Sequence, residues 1–207
     1  MRSICVFCGA SAGHDPLYAA TAGALGRELA ARSIELVTGG GKVGLMGVVA
    51  DAALGAGGRV TGVIPRSLEE REVAHQGLTS LHVVETLHER KALMHDLSDA
   101  FVALPGGFGT LDELFEAVTW AQLGIHAKPI GLVNPGGYFD DLLAFVEGAT
   151  AQGFVSAANR ALLTVREDVP LLLDALVRRL RSARGEADHL TPDASYERSD
   201  ADDRDRP

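Results

Sequence analysis

Cysteine, positive charge and long apolar runs are all scarce in this chain, and each scarcity removes a class of explanation. Cys5 and Cys8 are the only cysteines. They are spaced CxxC, but inside an apolar run, Ser3 to Gly9, that reads as a strand. Residues three apart on a strand face opposite ways, so two buried thiols acting as small apolar fillers are expected, not a disulfide or a shared metal. No stretch approaches the roughly 20 apolar residues of a membrane span. The opening MRSICVFCGAS turns straight into glycine, without the longer apolar region and small-residue cleavage site of a signal peptide. A cytoplasmic protein with no membrane partner is the expectation. Lys and Arg total 19 against 28 Asp and Glu, a net charge of -9. That balance argues against general nucleic-acid binding, which needs a basic face, and leaves room for a small anion in a locally positive pocket. Seven histidines are present, and His88 and His95 share a helical face, but no HExxH, HxH or carboxylate cluster joins them, so no metal site is expected.

What is present points to one domain. With 46% hydrophobic residues in 207, the chain can fill one sizeable core. Short β-rich runs (ICVFC, IELVTG, RVTGVIP, LHVVE, DAFVALPG, PIGLVN, ALLTV) alternate with segments of helical apolar spacing: 16–32, 44–56, 87–97, 110–123, 138–152 and 169–184. Most strands are apolar on both faces, as helices on both sides of a sheet require. The fold class is therefore α/β: a Rossmann-like, doubly wound, mainly parallel sheet of about seven strands within residues 1–184. Residues 185–207 carry eight acidic and three basic side chains and almost nothing that can pack, so they read as a solvated, disordered tail.

A ligand crevice in such a sheet lies beyond the carboxyl ends of the strands, at the switch in strand order. Three turns there are informative: Gly9-Ala10-Ser11, then GGGKVGLMG, then PGGFGTLDE. In the second, Gly39, Gly40 and Gly41 follow a strand, and Gly44 and Gly47 open a helix. This is a phosphate cradle in principle, with a tight turn and close helix packing as the plain alternative. Gly39, Gly41 and Gly44 satisfy GxGxxG, but no acidic residue closes the following strand as a dinucleotide site requires. Gly41-Lys42 also lacks the hydroxyl and the spaced glycine of a Walker A loop. In the third turn Pro105 stops the strand, Gly106, Gly107 and Gly109 free the backbone, and Thr110 can cap a helix and bond an anion. Glu113 and Glu116 follow on one helical face. Glu113 has two readings at this point, a carboxylate for chemistry or the returning arm of a TxxE capping box.

These segments resemble the Lonely Guy (LOG) phosphoribohydrolases. PGGFGTLDE matches the PGGxGTxxE motif of that family, and LHERKALM matches the RK segment before it. CGAS, TGGGKVGLMG, EAVTWAQLGIHAKPIGLVN and GYFDDLLAFVEGATAQGF are similar too, from about Ile4 to Leu180. The departures are Leu87, where many members have methionine, and Asp112, where a second glutamate is common. The resemblance implies that Arg90 and Glu113 are catalytic. It also implies a nucleoside 5'-monophosphate of the adenine or N6-prenylated adenine type as substrate, no cofactor, and a homodimer with a helical interface beside the site. The 5'-phosphate would be held by both glycine loops (Gly39, Gly40, Gly41 and Gly44; Gly106, Gly107 and Gly109) with Ser11 and Thr110, and Arg90, Lys91 and Glu116 would complete the binding set. Proteins of this kind are often labelled lysine decarboxylases. A pyridoxal-phosphate enzyme needs a Schiff-base lysine, and none of Lys42, Lys91 or Lys128 stands in a convincing place for one. The competing reading is a nucleotide or cofactor carrier that uses the same glycine loops without hydrolysis.

Overall fold

The computed structural model describes residues 1–69 and 74–189, with side chains through residue 185. Seven strands form one sheet: β1 Ser3–Phe7, β2 Glu35–Thr38, β3 Val60–Pro65, β4 Ser80–Val84, β5 Ala100–Ala103, β6 Ile130–Val133 and β7 Leu163–Arg166. Every pairing is parallel, in the order β4-β3-β2-β1-β5-β6-β7. The chain starts in the middle, winds outward to β4, and then crosses back to lay β5 against β1. β1 and β5 therefore flank the switch point, where successive connections leave toward opposite faces.

Alternation along the strands divides the core in two. Ile4 and Val6 face one cluster, with Leu25 and Leu29 of α1 (Pro16–Ala31), Val49 of α2 (Gly44–Gly55) and Leu172 and Leu176 of α8 (Val169–His189). Cys5 and Phe7 face the other, with Met94 of α4 (Leu87–Asp96) and Leu114 and Ala117 of α5 (Phe108–Gln122). Both cysteines are buried and unbridged, on opposite faces of the sheet. The edge strand β4 differs from the central ones in exposing Leu81 and Val83.

The expected strands are all present, and the differences lie at helix ends. α5 begins at Phe108, with Gly107 as its cap, two residues before the expected Thr110. Two short helices, α3 (Arg66–Glu69) and α7 (Ala157–Arg160), went unpredicted because four residues are too few to display a period. α6 spans Asp140–Ala151. α8 runs on to His189, so the first five residues of the expected tail are helical, and residues 190–207 lie outside the described residues. No helix among the described residues is long and apolar enough to cross a membrane.

At the end of α4, His95 is 4% exposed, its ring 4.4 Å from that of Phe101 and 4.5 Å from that of Trp120. Neither ring nitrogen has a hydrogen-bond partner among the described residues. Burial first, then His126, Lys128 and Lys91, hold its pKa down to about 4 from 6.5. His126 itself bridges a turn: its Nδ1 accepts from the Lys128 N–H and its Nε2–H donates to Ala117 O, each at 3.1 Å. Above pH 6.5 the His95 ring is neutral whether the chain is folded or not. Between 6.5 and 4 the unfolded chain takes up a proton that the folded one refuses, so stability falls with pH by about 1.4 kcal/mol per unit. Denaturant unfolding should show about 2 kcal/mol lost from pH 6.5 to 5 through His95, and His95→Phe should make the slope shallower by that much, leaving the part contributed by His126, whose pKa burial also lowers. An unchanged slope in the variant would remove His95 as its source.

Candidate active site

A cleft of about 470 Å³ opens over the carboxyl ends of β1 and β5. Its walls are the loop after β1 (residues 8–13) and the turn after β5 (residues 105–110). The turns are bonded to each other: Gly9 N–H donates to Pro105 O at 3.0 Å, and Leu45 N–H at the start of α2 donates to Gly9 O at 3.0 Å. Glycine permits this closeness, since a Cβ on Gly106 would run into Thr110 Oγ1 and lie 2.7 Å from Gly9 N. At the mouth, Tyr138 donates from Oη to Gly106 O at 2.7 Å and meets Tyr18 edge to face at 5.4 Å.

One end of the cleft presents main-chain donors that no side chain caps. α5 starts after Gly107 with no side chain capping it, so the N–H groups of Phe108, Gly109 and Thr110 have no intrahelical acceptor and sit at the positive end of the helix dipole. Thr110 is buried in the same wall, and the exposed Ser11 stands across from it in the β1 loop. Because the helix starts at Phe108, Thr110 lies inside the first turn and is not its cap. Glu113 is then a second-turn residue, and the capping-box reading of it does not apply.

Arg90 and Glu113 both line this cleft, Arg90 from α4 and Glu113 from α5. Arg90 is 7% exposed, and its Nη2–H donates to Gly39 O at 3.2 Å. α4 is aimed by its start, where Thr86 Oγ1 accepts from the Glu89 N–H at 3.1 Å. Cys8 registers both charged groups. Burial raises its thiol pKa most, the field of Glu113 raises it further, and Arg90 lowers it. A neutral, inert thiol at the cleft wall follows.

The remaining expected site residues lie elsewhere. Gly39, Gly40 and Gly41 are buried and do not line the cleft. Gly40, at φ 81°, accepts from the His75 N–H at 3.0 Å, and Gly41 bridges to Ala74 while its N–H points at Met46 Sδ, 3.2 Å away. Gly44 is also outside the lining, its bare Cα, at φ 60°, pressed on the Ala10–Ser11 backbone. Gly106, Gly107 and Gly109 thus line the cleft and Gly39, Gly40, Gly41 and Gly44 do not, although Leu45 and Met46, which follow them, do. β2 is a strand removed from the switch point, so its loop lies behind the β1 loop and supports it. Lys91 and Glu116 pair at 3.1 Å outside the lining, with Asp112 3.2 Å from the same ammonium, and tie α4 to α5. Conversely, Cys8, Tyr18, Leu45, Met46 and Tyr138 line the cleft without having been singled out. Tyr138 follows a strand end and could have been found by that rule, whereas Leu45 and Met46 read as ordinary helix core. Among the described residues no three His, Cys, Asp or Glu side chains gather as metal ligands.

Residues 46–176 match the family described as "possible lysine decarboxylase". The chain is 49% identical over 169 residues to the cytokinin riboside 5'-monophosphate phosphoribohydrolase of Rhodococcoides fascians, covering 81% of this chain and 85% of that one. It is 47% identical over 175 residues to the cytokinin riboside 5'-monophosphate phosphoribohydrolase LOG2 of Arabidopsis thaliana, covering 84% and 82%. Among solved structures it is similar to the molybdenum cofactor carrier protein of Chlamydomonas reinhardtii, with a TM-score of 0.66 and 25% identity, covering 87% of this chain and 98% of that one.

Proposed function

The chain belongs to the LOG-type cytokinin riboside 5'-monophosphate phosphoribohydrolases, and from that membership and the cleft we propose a mechanism in which Glu113 and Arg90 divide the chemistry. The enzyme hydrolyses the N-glycosidic bond of purine nucleoside 5'-monophosphates of the cytokinin type, giving the free base and ribose 5-phosphate. The 5'-phosphate sits on the first turn of α5 with Thr110 and Ser11, which places the ribose toward Glu113. As the bond from C1' to the base nitrogen breaks, its electron pair leaves with the base and positive charge grows on the ribose. The Glu113 carboxylate stabilises that charge and takes a proton from the water that attacks C1', and that proton passes to the departing base nitrogen, so the base leaves neutral and the carboxylate is restored. Arg90 stays charged throughout and is a poor proton donor, so it acts by position and field on the phosphate, ribose or departing base.

The observation that carries this reading is the convergence of Arg90, Glu113 and an uncapped helix start in one cleft at the β1/β5 switch point. The family description as lysine decarboxylases does not fit the lysines. Lys42 is exposed, Lys91 is paired with Glu116 and Asp112, and Lys128 Nζ donates to His95 O at 2.6 Å, with none of the three lining the cleft. The likeness to a cofactor carrier favours a second reading, in which the cleft binds a nucleotide and returns it intact. Incubation with AMP and with isopentenyladenosine monophosphate separates the two, since chromatography should show free adenine and isopentenyladenine. Intact nucleotide after prolonged incubation would sink the hydrolase.

We also propose a homodimer. Leu87 of α4 and Phe108 and Phe115 of α5, helices joined by the Lys91–Glu116 pair, are exposed, Phe108 at 93%. Apolar side chains grouped on adjoining helices suit a self-complementary, two-fold interface.

A further inference from the structure

Arg90 reaches the cleft through a space that any side chain at position 39 would occupy. A Cβ built on Gly39 would overlap Arg90 Nη2 and lie 2.9 Å from Cζ and 3.3 Å from Nε, and it would meet nothing nearer. The carbonyl of the same residue accepts from Nη2 at 3.2 Å in a buried contact. Gly39 therefore touches the guanidinium twice, through the atom it has and through the atom it lacks. Its φ is not in the left-handed region, unlike those of Gly40 and Gly44, so its own backbone does not call for glycine. Gly40 contrasts with it: φ is 81°, and a Cβ there would meet Leu81 and Ile64 at 3.1 and 3.2 Å, which are demands of the fold.

We propose that Gly39 is a positioning residue for Arg90, fixing the guanidinium in the cleft by an open Cα and an accepting carbonyl. The proposal rests on the catalytic reading of Arg90 given above. It assigns the glycine loop after β2 a part in the reaction that does not involve touching phosphate. Arginine is a long, flexible side chain, so a methyl group at position 39 moves the guanidinium and leaves the strand in place. Misplacing a catalytic group by about an ångström is enough to cost on the order of 10²-fold in rate.

The test is a double-mutant cycle of Gly39→Ala and Arg90→Ala. Single-turnover AMP hydrolysis is followed with enzyme in excess, and folding is followed by thermal melting. Gly39→Ala should melt close to the wild-type temperature and slow the reaction by about 10²-fold. Placed on Arg90→Ala, it should slow the reaction by less than about twofold more, because the group it displaces is already gone. A structural role would not produce that coupling, since damage to β2 would slow both backgrounds equally. Equal slowing in both, or wild-type rates in Gly39→Ala beside a slow Arg90→Ala, would overturn the proposal and leave the role of Arg90 standing. Wild-type rates in Arg90→Ala would instead overturn the role of Arg90. If Gly39→Ala fails to fold while the double variant folds, the steric contact with Arg90 is supported. If both fail, the methyl group meets something else and the proposal falls.

Discussion

Glu113→Gln should lower the single-turnover rate on AMP by about 10²–10⁴-fold, the range for loss of a positioned acid–base group, while the melting temperature stays near that of the wild type. The substitution keeps the size of the side chain and exchanges a charged oxygen for an amide, so the cleft wall formed by α5 retains its shape. In the proposed mechanism it removes the negative charge that meets the ribose cation and the lone pair that accepts the proton from water. Both interactions are stronger in the transition state than with bound nucleotide, so the loss should appear in the chemical step and little in the affinity for AMP. The surroundings of Glu113 support a role in the cleft: it lines the cavity that Arg90 enters, and its field reaches the Cys8 thiol. A variant that turns AMP over at the wild-type rate would take Glu113 out of the mechanism. One that binds AMP poorly and reacts normally once saturated would recast it as a binding residue.

Removing the substrate's 5'-phosphate should be as damaging as removing the carboxylate. The first turn of α5 offers N–H groups from Phe108, Gly109 and Thr110, with no side chain capping them. A dianion that accepts two or three charge-assisted hydrogen bonds, at about 1.5–3 kcal/mol each, gains enough to change kcat/KM by about 10²–10⁴-fold or more. In the proposed mechanism part of this remote binding energy holds C1' against Glu113, so adenosine should lose kcat as well as affinity. Side-by-side hydrolysis of AMP and adenosine at several concentrations measures both. Equal kcat/KM for the two would mean that the α5 turn does not recognise the phosphate.

The carboxyl-end rule for parallel sheets and the spacing of Pro105, Gly106, Gly107 and Thr110 located one wall of the cleft without coordinates, because both are local in the chain. The same local logic says less about the loop after β2. Gly39, Gly40, Gly41 and Gly44 look like a phosphate cradle, and only the packing of Gly44 on the β1 loop and of Gly39 on Arg90 reveals support beneath the site. Lys91 and Glu116 raise a related point. On paper each could face a ligand, whereas in space the Lys91 ammonium stands 3.1 Å from Glu116 Oε1 and ties α4 to α5.

Periodicity, strand-ending turns and charge were enough to fix a doubly wound parallel sheet, its seven strands and the glycine turn that lines the cleft, since those properties depend on neighbours within a few residues. Which glycines face the cleft, how Arg90 comes to stand in the same cleft as Glu113 from another helix, and which tyrosines close the mouth were decided by tertiary packing alone. Arg90 and Glu113 are carried by different helices and meet only because β5 returns to lie beside β1, and no periodicity in the chain encodes that return.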